Sequence, residues 1–192
     1  MKTLGLIVNP IAGMGGKVGL KGTDGEETLR RARALGASPG SSARAAEALE
    51  GMGSALASLR ILTPPGDMGE RAVRERGGSP DVLAMTLGEE TTARHTLEAA
   101  ARMKELGVDL LLFAGGDGTA RDILAQVQDE VVCLGIPTGV KMHSAVFALN
   151  PHRGGELAAQ YLLGQVKHTR AAEVMDIDEE ALREGHVSAR LF

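Results

Sequence analysis

Short apolar runs recur along the chain, and each ends at glycine, proline or a polar residue. The clearest run covers residues 110–114, Leu-Leu-Leu-Phe-Ala, and stops at a pair of glycines. Residues 4–8 form a similar run that stops at Asn9. Continuous apolar runs of about four to eight residues are typical of strands buried on both faces. The pattern predicts strands at both places and, by the same reasoning, at residues 59–63, 82–85, 131–135 and 171–178.

The segments between these runs are rich in alanine, leucine, arginine and glutamate, which favour helices. Threonine or aspartate stands where some of them begin, so we expect Asp67 to cap a short helix and Thr91 or Thr92 to cap a long one. Strands that alternate with helices at this spacing predict an α/β fold with a mostly parallel sheet. Helices are expected at residues 28–35, 42–56, 67–76, 92–106, 119–128, 151–163 and 179–184.

A glycine turn, Gly115-Gly116-Asp117-Gly118-Thr119, follows the clearest strand and leads into a helix. Its three glycines expose backbone N–H groups, and the start of a helix adds partial positive charge, so the expected ligand is a phosphate. Asp117 would repel a bare phosphate, so its carboxylate should hold a metal, accept a proton or bind a hydroxyl. The alternative is a tight connection in which Asp117 or Thr119 caps the helix.

Two further loops leave the predicted strands at their carboxyl ends. The first begins with Asn9-Pro10 and carries six glycines between residues 11 and 27, which predicts a long flexible loop without helix or strand. The second follows Gly135 and offers Thr138, Lys141 and Ser144 as donors to phosphate or ribose. Ligands of parallel sheets bind beyond the carboxyl ends of the strands, so we expect the three loops to meet at one crevice. Lys17 and Lys21 are either phosphate ligands or solvated surface lysines.

Composition excludes several classes of function. The net charge of −4 and the near absence of aromatic residues (no Trp, one Tyr, three Phe) argue against binding to nucleic acid or an anionic membrane. No apolar stretch approaches the ~20 residues of a membrane span. The single cysteine, Cys133, is expected to be a small buried residue in a reducing, cytoplasmic setting. We therefore expect a cytoplasmic protein.

Other motifs carry less weight. The loop at residues 13–18 fits neither the Walker A spacing nor the dinucleotide fingerprint, and the turn at 116–121 also fails the fingerprint. Asp176 and Asp178 stand two residues apart and are either metal ligands or, as we favour, charges at the start of a helix. His143 is expected at the surface or at the start of a helix. His95 and His168 lack metal-ligand spacing, and no metal ligand is assigned.

The chain resembles the ATP-NAD kinase family in two segments. These are residues 9–16, Asn-Pro-Ile-Ala-Gly-Met-Gly-Gly, and residues 115–119, Gly-Gly-Asp-Gly-Thr. The superfamily also includes diacylglycerol kinases and phosphofructokinases. Further segments at 18–25, 120–123, 139–144, 146–151 and 173–179 are similar to the ATP-NAD kinase/AcoX-type branch, so the resemblance covers nearly the whole chain. It implies a three-layer, Rossmann-like sheet with helices on both faces.

The resemblance also implies an activity. ATP or polyphosphate would donate a phosphoryl group to the adenosine ribose 2′-hydroxyl of NAD, with Mg²⁺ neutralising charge. Asp117 would be catalytic, accepting the hydroxyl proton or holding the hydroxyl in line. The alternatives are a non-catalytic nucleotide-binding or regulatory AcoX-type protein and, more weakly, a lipid kinase. The implied nucleotide-binding residues are Asn9, Pro10, Gly13, Gly115, Gly116, Gly118, Thr119, Thr138 and Lys141.

Family members carry a second, β-rich domain that supplies much of the NAD site. We expect residues 1–170 to form the α/β nucleotide-phosphate-binding domain and residues 171–192 to begin the connection to a β-rich domain that this chain lacks. The Asn-Glu motif that many NAD kinases carry after the glycine turn is also missing. The expectation is a truncated N-terminal domain with little activity alone. Its expected partners are a small-molecule nucleotide and further copies of the chain, without nucleic acid or membrane.

Overall fold

A five-stranded parallel sheet forms the centre of the protein in a computed structural model, which describes residues 1–20, 26–88, 90–139, 142–177 and 189–191. The order across the sheet is β3-β2-β1-β4-β5, and every neighbouring pair is parallel. β1 and β4 are central and almost fully buried, as their unbroken apolar sequences predict. The strands are β1 Thr3–Val8, β2 Arg60–Thr63, β3 Asp81–Val82, β4 Leu110–Gly115 and β5 Cys133–Pro137.

Helices cover both faces of the sheet, so the three-layer α/β fold is confirmed. Successive residues of a strand point to opposite faces. Leu110 and Leu112 accordingly pack with one set of helices, while Leu111 and Phe113 pack with the other. The first set comprises α3 Ser41–Gly51, α4 Glu70–Glu75 and α7 Pro151–Leu162; the second comprises α5 Ala93–Glu105 and α6 Asp117–Val127.

The helices α3 and α7 approach each other unusually closely. A Cβ atom on Gly155 of α7 would lie 1.8 Å from the carbonyl oxygen of Ala48 in α3. One on Gly51 would lie 2.2 Å from the carbonyl oxygen of His152. Backbone cannot move aside as a flexible side chain can, so the absence of Cβ atoms at these positions sets the distance between the two helices.

The glycine-rich segment after β1 is more regular than predicted. A short helix, α1 Met14–Lys17, forms there, and α2 Glu26–Ala34 follows after residues that the structure does not describe. Met14 is fully buried in a small cluster with Leu29 and Ala32. The prediction of a segment without helix was wrong because burial of Met14 outweighs the low helix propensity of its glycine neighbours.

Several element boundaries also differ from the predictions. β3 is only two residues long because the chain leaves the sheet after Val82, although the next residue, Leu83, is buried. A 3₁₀ turn occupies Gly66–Met68, and α4 begins without a side-chain cap, so Asp67 does not cap it. The helix predicted at 42–56 ends at Gly51, and a 3₁₀ segment, Gly53–Ser58, follows.

The strand predicted at 171–178 is shorter. It is limited to β6 Met175–Ile177, which pairs antiparallel with β7 Ala189–Leu191. The helix predicted at 179–184 lies outside the described residues. Among the helices that the structure describes, none combines the length and the hydropathy that crossing a membrane would require.

Thr92 does begin α5 as predicted, with a partner that the sequence did not suggest. Its backbone N–H donates to Nδ1 of His95 at 3.0 Å, and its side chain accepts from the His95 backbone N–H, which forms a capping box. This accounts for His95, which is buried and was left without a role.

Asp109 joins the beginning of β1 to the turn before β4. Its carboxylate accepts hydrogen bonds from the Lys2 ammonium at 2.6 Å and from the Thr3 N–H at 2.7 Å. Burial would raise the pKa of this carboxyl, but the hydrogen bonds from Lys2 and Thr3 outweigh it and hold the pKa below its ordinary value.

We expect Asp109→Asn to lower the free energy of unfolding by about 1 kcal/mol at pH 7. A depressed folded-state pKa contributes stability above the unfolded pKa of about 3.9, and this contribution is lost as the pH falls through the folded value. The free energies of unfolding of the two proteins should therefore differ at pH 7, and the difference should begin to shrink below about pH 4 and vanish below the folded-state pKa. A difference that stays constant down to pH 2 would contradict this account.

Candidate functional site

The glycine turn connects β4 to α6 at the centre of the sheet's carboxyl edge. β4 ends at Gly115, Gly116 is the N-cap in an extended conformation, and Asp117 is the first helical residue. No side chain caps this helix. The alternative interpretation, in which Asp117 or Thr119 serves as the cap, is therefore wrong. The backbone N–H groups of the first turn have no intrahelical acceptor, so they remain available to an anion.

Thr119 folds back over the end of β4 and is almost fully buried. A Cβ atom on Gly115 would lie 2.5 Å from its side chain, so only glycine permits this packing. The side-chain amide of Asn9 donates a hydrogen bond to Thr119 Oγ1 at 2.9 Å. Asn9 thus holds Thr119 from the neighbouring strand, and the hydroxyl hydrogen of Thr119 stays free to be donated elsewhere.

The loops after β1, β4 and β5 meet, as the sequence predicts. Gly13 has a left-handed conformation (φ 75°), and a Cβ atom there would lie 2.2 Å from the carbonyl oxygen of Thr138. The Thr138 N–H donates to the Gly115 carbonyl at 3.3 Å. The turn that begins at Asn9 and Pro10 therefore lies against the β5 loop, which in turn lies against the glycine turn.

The hydroxyl of Thr138 is a candidate ligand contact. Within the part of the chain that the structure describes, its Oγ1 is buried and has no hydrogen-bond partner. A buried hydroxyl without a partner costs free energy, and an incoming phosphate or ribose oxygen would satisfy it. Lys141, the predicted cation of this loop, lies outside the described residues, as do Lys21 and the side chain of Lys17.

Asp117 points across to the chain after the β5 loop. Its Oδ2 accepts the His143 N–H at 2.9 Å, and its Oδ1 accepts both the Ser144 N–H at 2.9 Å and the Ser144 hydroxyl at 2.5 Å. A carboxylate has about four acceptor positions, so three are used and one position on Oδ2 stays open. His143 takes part through its backbone while its side chain is exposed, as expected of a surface histidine.

The contact between Asp117 and Ser144 is the part of the site that sequence reasoning missed. Ser144 was predicted to donate to phosphate or ribose, but it is buried and its hydroxyl is directed at Asp117. The two residues are 27 positions apart, and no local pattern pairs them. The available signal was the meeting of the two loops, which places polar residues of one against the carboxylate of the other.

A cleft of about 480 Å³ borders this constellation. Such a volume is within the range of small-molecule sites. Ser144 belongs to its wall, so the cleft reaches the residue that holds Asp117. Its other lining residues are mainly apolar, with one cation: Arg44, Pro137, Gly139, Met142, Phe147, Ala148, Leu149, Asn150 and Pro151.

The residues present suit a metal that is bound mostly by a ligand's phosphates. No group of three or more His, Cys, Asp or Glu side chains with metal-binding geometry occurs among the described residues. Magnesium commonly binds through substrate phosphates, water and one or two carboxylates. Asp117 is the carboxylate at this site, and its one open position takes either the metal or an acceptor hydroxyl. Asp178 lies outside the described residues, and Asp176 lies in β6, so their predicted roles stay untested.

Cys133 packs beside the α5–α6 layer and is only partly buried, not fully as predicted. Burial raises the pKa of its thiol to about 12, so the thiolate is scarce at neutral pH. We expect iodoacetamide at pH 8 to leave Cys133 largely unmodified in the folded protein and to alkylate it fully in urea, as read by mass spectrometry. Rapid alkylation of the folded protein would contradict this.

Comparison with known families agrees with the geometry. The family model described as the ATP-NAD kinase N-terminal domain matches residues 4–166. The chain belongs to the ATP-NAD kinase family. This match covers β1 through α7 and therefore all three loops of the site. It does not separate the AcoX-type branch from the rest of the family, so that assignment stays a prediction.

No curated protein and no solved structure matches the chain. Membership in this family places the chain among kinase-type transferases that use ATP, a divalent metal and NAD in general.

Proposed function

We propose that this chain supplies the phosphate-binding and catalytic half of an enzyme that phosphorylates NAD, or a related small molecule, at a ribose hydroxyl. ATP or polyphosphate is the phosphoryl donor. The observation that carries the proposal is the meeting of the glycine turn with the loops after β1 and β5, which brings Asp117 and the Thr138 hydroxyl, unpartnered among the described residues, to one edge of the sheet. Membership in the ATP-NAD kinase family supports it.

The phosphate-binding role rests on donors. The first turn of α6 presents N–H groups at Gly118 and Thr119 with the positive end of the helix dipole. The Thr119 hydroxyl accepts from Asn9 and can donate to a phosphate oxygen, and Thr138 Oγ1 can do the same. Gly116 leaves open space above the turn, since the nearest atom to a Cβ there would be 4.0 Å away.

The catalytic role falls to Asp117. Its open position on Oδ2 can accept the proton of an acceptor hydroxyl while the other three positions stay occupied by His143 and Ser144. These bonds hold the carboxylate in one orientation, which favours catalysis by positioning. Mg²⁺, when bound with the nucleotide, would neutralise charge on the phosphates.

The test is an assay for NADP formation from NAD, run with ATP or polyphosphate and Mg²⁺. The same ligands are added one at a time in thermal unfolding, because a ligand that binds the folded state raises the melting temperature. At about 100 times Kd, Mg²⁺-ATP should raise it by about 5 °C or more, and adenosine, which lacks phosphates, should have little effect.

A non-catalytic nucleotide-binding or regulatory protein of the AcoX type is the second candidate, because the same phosphate-binding residues could hold a nucleotide without catalysing a reaction. A rise in melting temperature with Mg²⁺-ATP but no NADP formation, measured on the product of the full natural reading frame, would favour this second candidate. We further propose that residues 171–192 lead into a β-rich domain and that the protein forms a homo-oligomer. A reading frame that continues past Phe192 would support the first point, and light scattering tests the second.

A further inference from the structure

Ser144 lies at a junction between the glycine turn and strand β6. Its hydroxyl donates to Asp117 Oδ1 at 2.5 Å and accepts the Met175 N–H at 3.1 Å. The next residue, Ala145, donates its N–H to the Glu173 carbonyl at 3.0 Å. The chain leading into β6 is therefore tied to the residues that hold Asp117.

The bonding at this hydroxyl is directional. A serine hydroxyl has one hydrogen, and the shortest contact, to Asp117, takes it. The Met175 N–H then occupies a lone pair of the same oxygen, and the Met175 carbonyl oxygen at 3.3 Å is the weaker, competing acceptor, so the position of β6 influences where the hydroxyl hydrogen points. Ser144 is only 6% exposed, so water does not readily replace either partner.

We propose that Ser144 is a positioning residue for Asp117, through which strand β6 sets the orientation of the reacting carboxylate. The catalytic part of this inference rests on the proposed function, whereas the hydrogen bond between Ser144 and Asp117 is independent of it. With Ser144 bound to Oδ1 and His143 bound to Oδ2, Asp117 keeps one open acceptor position on Oδ2. Displacement of Met175 would remove one constraint on the Ser144 hydroxyl and loosen the carboxylate.

The first experiment measures the coupling without any need for activity. Ser144→Ala, Asp117→Asn and the double variant are compared with the wild type in urea unfolding. If the hydroxyl acts through Asp117, the change in the unfolding equilibrium constant of the double variant should differ from the product of the two single changes by about fivefold or more. Ser58→Ala is the matched control, because its hydroxyl donates to the Ala55 carbonyl far from the site. Multiplicative effects of Ser144→Ala and Asp117→Asn would overturn the proposal.

The second experiment separates positioning from a merely structural contribution. Ser144→Ala should lower kcat for NADP formation about 10- to 100-fold, as loss of groups that orient reactive ligands commonly does, and leave KM for both substrates within about twofold. Ser144→Thr, which retains the hydroxyl, should recover most of the lost kcat. Ser58→Ala should match the wild type.

A wild-type kcat in Ser144→Ala, or a change confined to KM, would overturn the positioning role. In the Asp117→Asn background, Ser144→Ala should lower activity no further. Absence of NADP formation by the product of the full natural reading frame would overturn the proposed function, and the unfolding cycle alone would then test the Ser144 proposal.

Discussion

Asp117→Asn is expected to lower the rate of NADP formation at least about 100-fold, the usual range for loss of a general base. An amide at this position cannot take the proton of the acceptor hydroxyl. It also exchanges one acceptor for a donor: if the amide oxygen keeps both bonds from Ser144, the new NH₂ group would face the N–H donor of His143. Steady-state assays with purified variant measure the loss directly.

The matched control is Asp129→Asn, at an exposed position in the turn after α6. It makes the same change of charge on the same part of the chain and should leave the rate within about twofold, because surface charges contribute little. Thermal unfolding should show that both variants are folded. Activity that survives in Asp117→Asn would rule out the proposed mechanism while leaving the nucleotide-binding role open.

Gly155→Ala is expected to have the largest effect on stability. Alanine favours a helix over glycine by about 1 kcal/mol, so an open position would gain stability. Here the new Cβ would lie 1.8 Å from the Ala48 carbonyl oxygen, which is backbone of the neighbouring helix. Separating α3 from α7 would open the core layer that covers this face of the sheet, and we expect a net loss of about 2–3 kcal/mol.

Gly154→Ala provides the matched comparison in the same helix. Its new Cβ would meet the end of the Ile136 side chain at 2.5 Å, which can move by rotation, and the Ala148 Cβ at 3.0 Å, which needs a shift of only a few tenths of an ångström. The helix propensity gained is the same, so its net loss should stay below about 1 kcal/mol. Urea unfolding of both variants measures the two losses in the free energy of unfolding. Equal effects would show that the distance between the helices is not limited by Gly155.

Much of the fold was predictable from local sequence. The runs at residues 4–8 and 110–114 have no polar interruption, which is typical of buried strands, and their alternation with helical segments predicted a mostly parallel sheet. The family resemblance added the helices on both faces. The Gly-Gly-Asp-Gly-Thr turn predicted an anion site at the start of a helix, and the helix begins at Asp117. Periodicity and turn chemistry act over a few residues, which is why they could be recognised without tertiary information.

The failures share a different cause. Met14 begins a helix within a glycine-rich segment because it is buried against α2, and β3 stops after two residues because the chain turns away from the sheet. Both outcomes depend on which surfaces become buried, and local propensity does not carry that information.

The sequence by itself predicted most of the strands and helices, the glycine turn as a candidate phosphate site and Asp117 as the candidate carboxylate. Only the tertiary structure decided what Asp117 contacts. Its bonds to His143 and Ser144, and the link from Ser144 to Met175, span 26, 27 and 31 residues. Such contacts form when the sheet brings the carboxyl ends of β4 and β5 side by side. The reason is geometric: parallel strands place residues that are far apart in sequence at one edge, and hydrogen bonding there follows from three-dimensional position.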